Sequence, residues 1–346
     1  MTLKVLVLST NWIGDAVMTT PAITALAGLY PDAKIKVLAR PAQASVFTGH
    51  PDVDEVIVAD KKSLADPLIR PFRLAWRIRA EQFDIAVVFP NSFESALIPF
   101  LAGVPVRIGY NTDGRSILLT HGATVPGDKQ TRHEVYYYLG LVDHLIKKMG
   151  LEKKTAPEKP RLVLDVPKEG EDGAGRILSS VGIEKDMLIG FNPGAAYGPA
   201  KRWPSGRFIE LGKTLTKRHS ECCIVVLGTE GENTLAKEIC AGIGKRACNL
   251  AGRTSLVEAM GIINRLRLLV TNDSGLMHVA AALGTPLVAL FGSTNPTTTG
   301  PWTEKAIVVS RILPCGPCLK RTCPNGFECM LGIGVEEVLK ACERWL

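Results

Sequence analysis

No stretch of this chain approaches the ~18 consecutive apolar residues that cross a bilayer as a helix, so no membrane-spanning helix is expected. Two nucleotide fingerprints are also missing. The first apolar run, 4–9, leads into Asn11-Trp12-Ile13-Gly14-Asp15, a lone glycine where a dinucleotide-binding turn requires Gly-x-Gly-x-x-Gly. Gly-x4-Gly-Lys-Ser/Thr occurs nowhere, which removes a P-loop nucleotidase. No recognised nucleic-acid module is present, and nucleic acid is not an expected partner. With 46% hydrophobic and only 22% charged residues, the composition excludes a disordered chain and suits a folded enzyme.

At 346 residues the chain exceeds one ordinary core and suits two domains. Short apolar runs rich in β-branched residues, at 4–9, 35–39, 55–58 and 85–89, predict strands. Helical stretches at 15–29 and 92–101 lie between them, with Pro21 inside the first predicting a kink or a later start. The segment 151–160 is charged, carries Pro157 and Pro160 and lacks periodicity, which marks a linker. Strand signals resume at 188–192, 223–227, 268–271 and 287–291, with helices predicted at 207–218, 234–243 and 255–264. Strands alternating with helices imply parallel βαβ units. The expected architecture is α/β, two Rossmann-like domains at 1–160 and 161–346 without a sequence repeat. A final amphipathic helix, 335–345, is expected to pack back on the N-terminal domain. The opening segment reads as a first buried strand rather than a secretory leader, so a cytoplasmic chain is expected.

The strongest chemical signal is Thr271-Asn272-Asp273-Ser274-Gly275, where an apolar run ends in a small polar turn before an Ala-rich helix. That order puts Ser274 and Gly275 at a helix N-terminus, where unpaired N–H groups and the helix dipole favour a phosphate. A second small-residue loop follows Leu290-Phe291 at Gly292-Ser293. Two such loops after neighbouring parallel strands make a cradle for a nucleotide diphosphate. The net charge of +7 agrees with an anionic partner, and Lys61, Lys62, Arg70, Arg73, Arg77 and Arg79 concentrate in one stretch. A solvated helix face explains such a run as readily as a binding surface does.

Nine cysteines in a chain expected in the cytoplasm argue against a disulfide framework. Cys222, Cys223, Cys240, Cys248 and Cys342 read as small buried hydrophobes. Cys315, Cys318, Cys323 and Cys329 instead share one Pro- and Gly-bearing loop, a ligand set that suits a structural zinc ion or an iron–sulfur cluster, though the spacing follows no standard zinc pattern.

Together with Pro90-Asn91-Ser92-Phe93-Glu94, Pro193-Gly194-Ala195-Ala196-Tyr197, Lys201-Arg202-Trp203-Pro204 and Asn249-Leu250-Ala251-Gly252, these motifs in this order resemble glycosyltransferase family 9, most of all its heptosyltransferase II type. The resemblance runs through nearly the whole chain. It implies a GT-B fold of two facing Rossmann-like domains and no required cofactor. It implies inverting transfer of heptose from ADP-L-glycero-β-D-manno-heptose to heptosyl-Kdo2-lipid A, in the lipopolysaccharide inner core. The enzyme would then work as a peripheral protein on the cytoplasmic face of the inner membrane.

Residue by residue, the resemblance makes Asp15 the base that takes the acceptor proton, a role that competes with simple helix capping. Lys201 is expected to offset charge on the departing ADP. Gly194, Ser274 and Gly275 are expected at the donor, with Asp273 orienting sugar hydroxyls or capping the helix and His278 in support. Glu230 is placed at the ribose, and Leu250 and Gly252 at adenine. Asn11, Gly14, Asn91 and Ser92 are assigned to the acceptor, and Arg73 and Arg77 to its anionic groups at the membrane surface. A heptosyltransferase for another core position, another GT-B sugar-nucleotide enzyme, or a non-catalytic nucleotide-binding scaffold remain open alternatives.

Overall fold

The computed structural model describes residues 2–59, 69–152, 159–183 and 187–346. Lys61, Lys62 and the middle of the expected linker, 153–158, lie outside the described residues. The chain divides into two compact units, Met1–Asp165 and Val166–Leu346.

In the first unit the elements are β1 (Lys4–Leu8), α1 (Ile13–Leu29), β2 (Lys34–Ala39), α2 (Pro41–Phe47), β3 (Glu55–Val58), α3 (Arg70–Arg79), β4 (Ile85–Val88), α4 (Phe93–Leu101), β5 (Val106–Tyr110), β6 (His121–Ala123) and α5 (Glu134–Met149). All six strands are parallel, in the order β3-β2-β1-β4-β5-β6. The second unit contains α6 (Lys168–Ser180), β7 (Met187–Asn192), α7 (Ser205–Arg218), β8 (Cys222–Val226), α8 (Asn233–Ile243), β9 (Ala247–Asn249), α9 (Leu256–Asn264), β10 (Leu268–Asn272), α10 (Gly275–Leu283), β11 (Leu287–Phe291), α11 (Pro296–Thr299), β12 (Ala306–Ser310), α12 (Glu328–Leu331) and α13 (Val335–Cys342). Its parallel order, β12-β11-β10-β7-β8-β9, repeats the first topology without repeating the sequence. This is the doubly wound arrangement, and it reverses direction between β1 and β4 and again between β7 and β10.

Central strands are apolar along their whole length because helices cover both faces. Leu6, Val7, Ala86 and Val88 have no exposed surface, nor do Ile189, Val225, Leu269 and Val288. Helix α1 begins at Ile13 and accommodates Pro21 inside it. The ring removes the N–H that would bond Val17 O, and the Thr20 hydroxyl donates to that carbonyl instead, at 2.8 Å. The same Thr20 oxygen accepts the amide of Val163 at 3.0 Å.

The last helix contributes to the core of its own unit. Val338, Leu339, Ala341 and Cys342 of α13 are buried in the core of their own unit, with Phe208, Leu211 and Leu290. Trp203 closes the same core at 2% exposure, its indole N–H donating to Ile333 O at 3.0 Å. Trp203→Ala is expected to destabilise the second unit by about 3–5 kcal/mol. Denaturant unfolding checks this, and a loss under about 1 kcal/mol would contradict the packing.

Candidate functional site

In open parallel sheets, ligands bind beyond the carboxyl ends of the strands, where the order reverses. The residues singled out in the sequence fall at those ends. Asn11, Gly14 and Asp15 follow β1, and Asn91 and Ser92 follow β4. Gly194 follows β7 and Asp273, Ser274 and Gly275 follow β10, while Glu230 and Gly252 follow the neighbouring β8 and β9.

In the first unit, Trp12 is the N-cap of α1 and contributes no side-chain hydrogen bond. Asp15 is the third residue of that helix. It stands half-buried in the first turn, where the helix dipole favours a carboxylate. Its charge acts on the buried Tyr138 phenol, which burial first and then Asp15 hold well above the ordinary tyrosine range. The Asn11 carbonyl accepts from Gln43 Nε2 at 2.7 Å, which fixes the loop after β1 against α2.

The loop after β4 is held from behind. Arg115 has no exposed surface; its guanidinium donates to Tyr110 O at 2.8 Å, to Ser95 Oγ at 3.0 Å and to Pro90 O. Burial lowers its pKa to about 10. Asn91 Oδ1 accepts from Tyr137 OH at 2.9 Å, and Asn91 O from Thr112 at 2.8 Å. Ser92 is the N-cap of α4, its hydroxyl accepting the Ser95 amide at 3.3 Å. Asn11 and Ser92 meet in one pocket of about 70 Å³, together with Arg40 and Arg70. Nothing in the sequence marks Arg115 as the support of this loop, because its partners are backbone carbonyls with no pattern of their own.

The basic stretch resolves into two roles. Arg70 turns inward and forms a bidentate pair with Glu94, at 2.5 Å on each arm. It is therefore not part of a surface patch. Pro71, Leu74, Ala75 and Ile78 bury the inner face of α3, which leaves Arg73 and Arg77 outside. Arg77 also donates to Val58 O at 2.7 Å. Beside these arginines stand Phe72 and Trp76, 57% and 81% exposed. The two aromatics interleave the arginines, and their exposure makes the face amphipathic rather than simply charged.

In the second unit, Lys201 Nζ lies 2.5 Å from Asp273 Oδ2, with the side chains 13% and 5% exposed. Thr294 Oγ1 donates to the same carboxylate oxygen at 2.6 Å. Asp273 therefore pairs with Lys201 instead of capping the helix. Ser274 is the N-cap of α10 and makes no side-chain cap either, because its hydroxyl accepts from Asn192 Nδ2 at 2.6 Å. The first turn of α10 thus keeps its N–H groups from side-chain capping, beside a paired ammonium. Asn272 was not evident as a site residue: its Nδ2 donates to Pro193 O at 2.7 Å and its Oδ1 accepts Trp203 N at 3.2 Å. It clips both ends of the loop that carries Lys201 and Gly194 to the end of β10. The signal was its place one residue ahead of the phosphate turn.

A side chain at Gly194 would collide with Glu232, whose carboxylate is drawn to the Thr229 amide at 2.8 Å in a capping box. Gly252 has φ +74°, and a side chain there would collide with Glu230. Those two expected residues therefore adjoin. Leu250 does not join them. It is fully buried, its N–H bonds Val226 O at 2.9 Å and its carbonyl accepts Arg253 N at 3.1 Å, whereas Gly252 is exposed, with its N–H on Gly228 O at 3.0 Å. His278 is buried one turn into α10.

Cys315, Cys318, Cys323 and Cys329 line one cavity of about 240 Å³ with Ala200 and Ser293. Cys323 Sγ accepts the amides of Asn325 at 3.4 Å and Phe327 at 3.3 Å. Among the described residues, no three His, Cys, Asp or Glu side chains are grouped so as to hold a metal ion. The expected four-thiol ligand set is thus spread around the cavity rather than gathered. The other cysteines are buried or half-buried thiols, and burial pushes Cys240 up to about 12. The sequence also contains Asp52-Val53-Asp54, whose carboxylates serve the fold: Asp52 accepts Thr24 Oγ1 at 2.7 Å, and Asp54 accepts Lys34 Nζ at 2.6 Å and Ile35 N at 2.8 Å.

The family model of glycosyltransferase family 9 (heptosyltransferase) matches residues 71–327. Lipopolysaccharide heptosyltransferase 2 of Salmonella typhimurium is 34% identical over 343 residues, covering 98% of this chain and 97% of that protein. The solved structure of E. coli ADP-heptose lipopolysaccharide heptosyltransferase II superposes with a TM-score of 0.82 at 30% identity, covering 99% of this chain and 98% of that one. A family 9 glycosyltransferase from Veillonella parvula superposes with a TM-score of 0.87 at 25% identity, over 99% and 97% of the two chains. The fold class is that of the GT-B heptosyltransferases.

The Lys201–Asp273 pair carries a stability prediction. Asp273→Asn leaves a largely buried ammonium unpaired and is expected to cost about 3–5 kcal/mol, whereas Lys201→Met with Asp273→Leu recovers most of the loss. Chemical denaturation of the single and double variants checks it; additive losses would show that the two groups are not coupled.

Proposed function

The chain belongs to glycosyltransferase family 9, and from that premise we propose that it transfers heptose from ADP-heptose to an already heptosylated Kdo-lipid A in lipopolysaccharide inner-core assembly. The observation that carries the donor half is the first turn of α10, without a side-chain cap and next to the Lys201–Asp273 pair at a switch point of a parallel sheet. N–H groups and dipole there favour a diphosphate. The second-heptose step is supported by near full-length likeness to a heptosyltransferase 2.

In the proposed reaction an acceptor hydroxyl oxygen attacks the anomeric carbon from the face opposite the diphosphate. The bond from that carbon to the β-phosphate oxygen breaks, its electron pair leaves with ADP, and the configuration inverts. The Asp15 carboxylate takes the hydroxyl proton. Lys201 shifts part of its interaction from Asp273 to the departing phosphate, where it offsets the new charge. Glu230 and Gly252 take the nucleoside, and Asn11, Ser92 and Arg40 the acceptor sugar.

The outer face of α3 is the proposed membrane contact. Phe72 and Trp76 enter the headgroup region, and Arg73 and Arg77 meet anionic lipid, each such cation contributing roughly 1 kcal/mol near the surface. The enzyme would then act as a peripheral protein of the inner membrane's cytoplasmic face.

Three expected outcomes follow from this reading. Asp15→Asn keeps ADP-heptose binding while turnover falls about 10²- to 10⁴-fold; mass spectrometry of the lipid product checks it, and undiminished turnover removes the base role. Heptose should pass to heptosylated Kdo2-lipid A and not to the bare form, and transfer only to the bare form moves the enzyme to the first-heptose step. Trp76→Ala with Arg73→Glu should lower sedimentation with anionic vesicles and raise the acceptor KM at low salt; unchanged binding and KM would remove the α3 contact.

A further inference from the structure

Resting on the reading that Lys201 and the first turn of α10 hold the donor diphosphate, we propose that Arg321 is a second cation of that site, supplied by the cysteine loop. Charge accounting leads there. Lys201 sits 2.5 Å from Asp273, so the pair as a unit is neutral. A helix N-terminus adds only about half a positive charge. A diphosphate leaving group gains negative charge as its bond to the sugar breaks, and a lysine shared with Asp273 and half a helix charge balance only part of it.

Two further cations stand near. Arg202 turns back on its own loop, its Nη2 3.4 Å from Ala195 O. Arg321 does not. Its guanidinium lies 5.4 Å from the centre of the Tyr197 ring, the same ring that Lys201 Nζ approaches at 4.7 Å. The two cations are therefore within about 10 Å of each other, a separation that one diphosphate bridges when each cation donates to a different phosphate. Arg321 is exposed and makes no ion pair among the described residues. A guanidinium stacked on a ring uses its face and leaves the N–H edge for a phosphate.

The position of Arg321 is built rather than incidental. Its carbonyl accepts the Ala200 amide at 3.1 Å, immediately before Lys201. Gly198 packs on that same carbonyl so closely that a side chain there would collide with it. Tyr197 OH donates to Leu319 O at 2.6 Å, and Leu319 N to Ser293 O at 2.8 Å, next to the Thr294 that bonds Asp273. The cysteine loop thus ties the loop after β7 to the loop after β11 and delivers Arg321 alongside Lys201. As the anomeric carbon–oxygen bond breaks and its electron pair moves to the phosphate, Arg321 donates hydrogen bonds to the anion formed.

The test is calorimetric binding of ADP and of adenosine to the full chain at low and high salt, with steady-state kinetics on ADP-heptose, for Arg321→Gln, Arg321→Lys and Lys201→Ala. Arg321→Gln should weaken ADP binding about tenfold, flatten its salt dependence and leave adenosine unaffected, with Arg321→Lys recovering part of the loss. Wild-type ADP affinity in Arg321→Gln alongside a loss in Lys201→Ala overturns the proposal and leaves the diphosphate site standing. Unchanged affinity in both overturns the site reading as well. Equal losses for ADP and adenosine show that Arg321 merely braces the loop, which also overturns the proposal.

Discussion

Parallel strands wound in both directions from a central pair cannot cover the ends of that pair with their own connections. This constraint acts twice in the chain, between β1 and β4 and between β7 and β10. The residues argued to touch the donor sit at the second of those places or within two strands of it. The long apolar strands beneath are rigid because helices bury both faces, and their rigidity lets short loops hold a small number of polar groups in place. Asn272 and Arg115 show what the loops require: a buried side chain that satisfies carbonyls and amides which a turn would otherwise leave unpaired.

The electrostatics of the second unit are those of a site prepared for an anion but quiet without one. A largely buried lysine without Asp273 would carry a desolvation cost, and Thr294 orients the carboxylate that offsets it. The cost of that arrangement is that the pair has little net field to offer. A ligand with strong negative charge must compete for the ammonium or find additional cations. The first unit has a different economy, with Arg70 locked to Glu94 and the remaining arginines of α3 turned outward.

How much of this was legible follows burial. The central strands were plain because a strand covered on both faces must be continuously apolar. Outer strands were not. β5 is Val106-Arg107-Ile108-Gly109-Tyr110 and β9 is only Ala247-Cys248-Asn249, both too mixed or short for a period to show. β6, His121-Gly122-Ala123, escaped for the same reason, whereas β12 carries a plain apolar run, Ala306-Ile307-Val308-Val309, that was there to be read. At the site, the phosphate turn was readable because a strand, small residues and an Ala-rich helix follow one another without a gap. The partners of Asp273 were not, since Lys201 and Thr294 come from distant loops. Leu250, beside an exposed glycine, has a core environment that the sequence pattern did not reveal. Apolar pattern reveals which faces are buried, whereas the pairing of charges depends on which loop ends the topology brings together.

Thr20 carries a consequence for the order in which the first unit forms. Its hydroxyl both repairs the carbonyl left open by Pro21 and receives the amide of Val163, which lies 143 residues later and close to the end of that unit. The first helix is thus completed by nearly the last residue of its domain. A ribosome releasing the chain from its N-terminus exposes α1 long before its finishing partner exists. The early helix packs first on α2 and later on α5, and the Thr20–Val163 bond forms only when the unit's closing segment emerges.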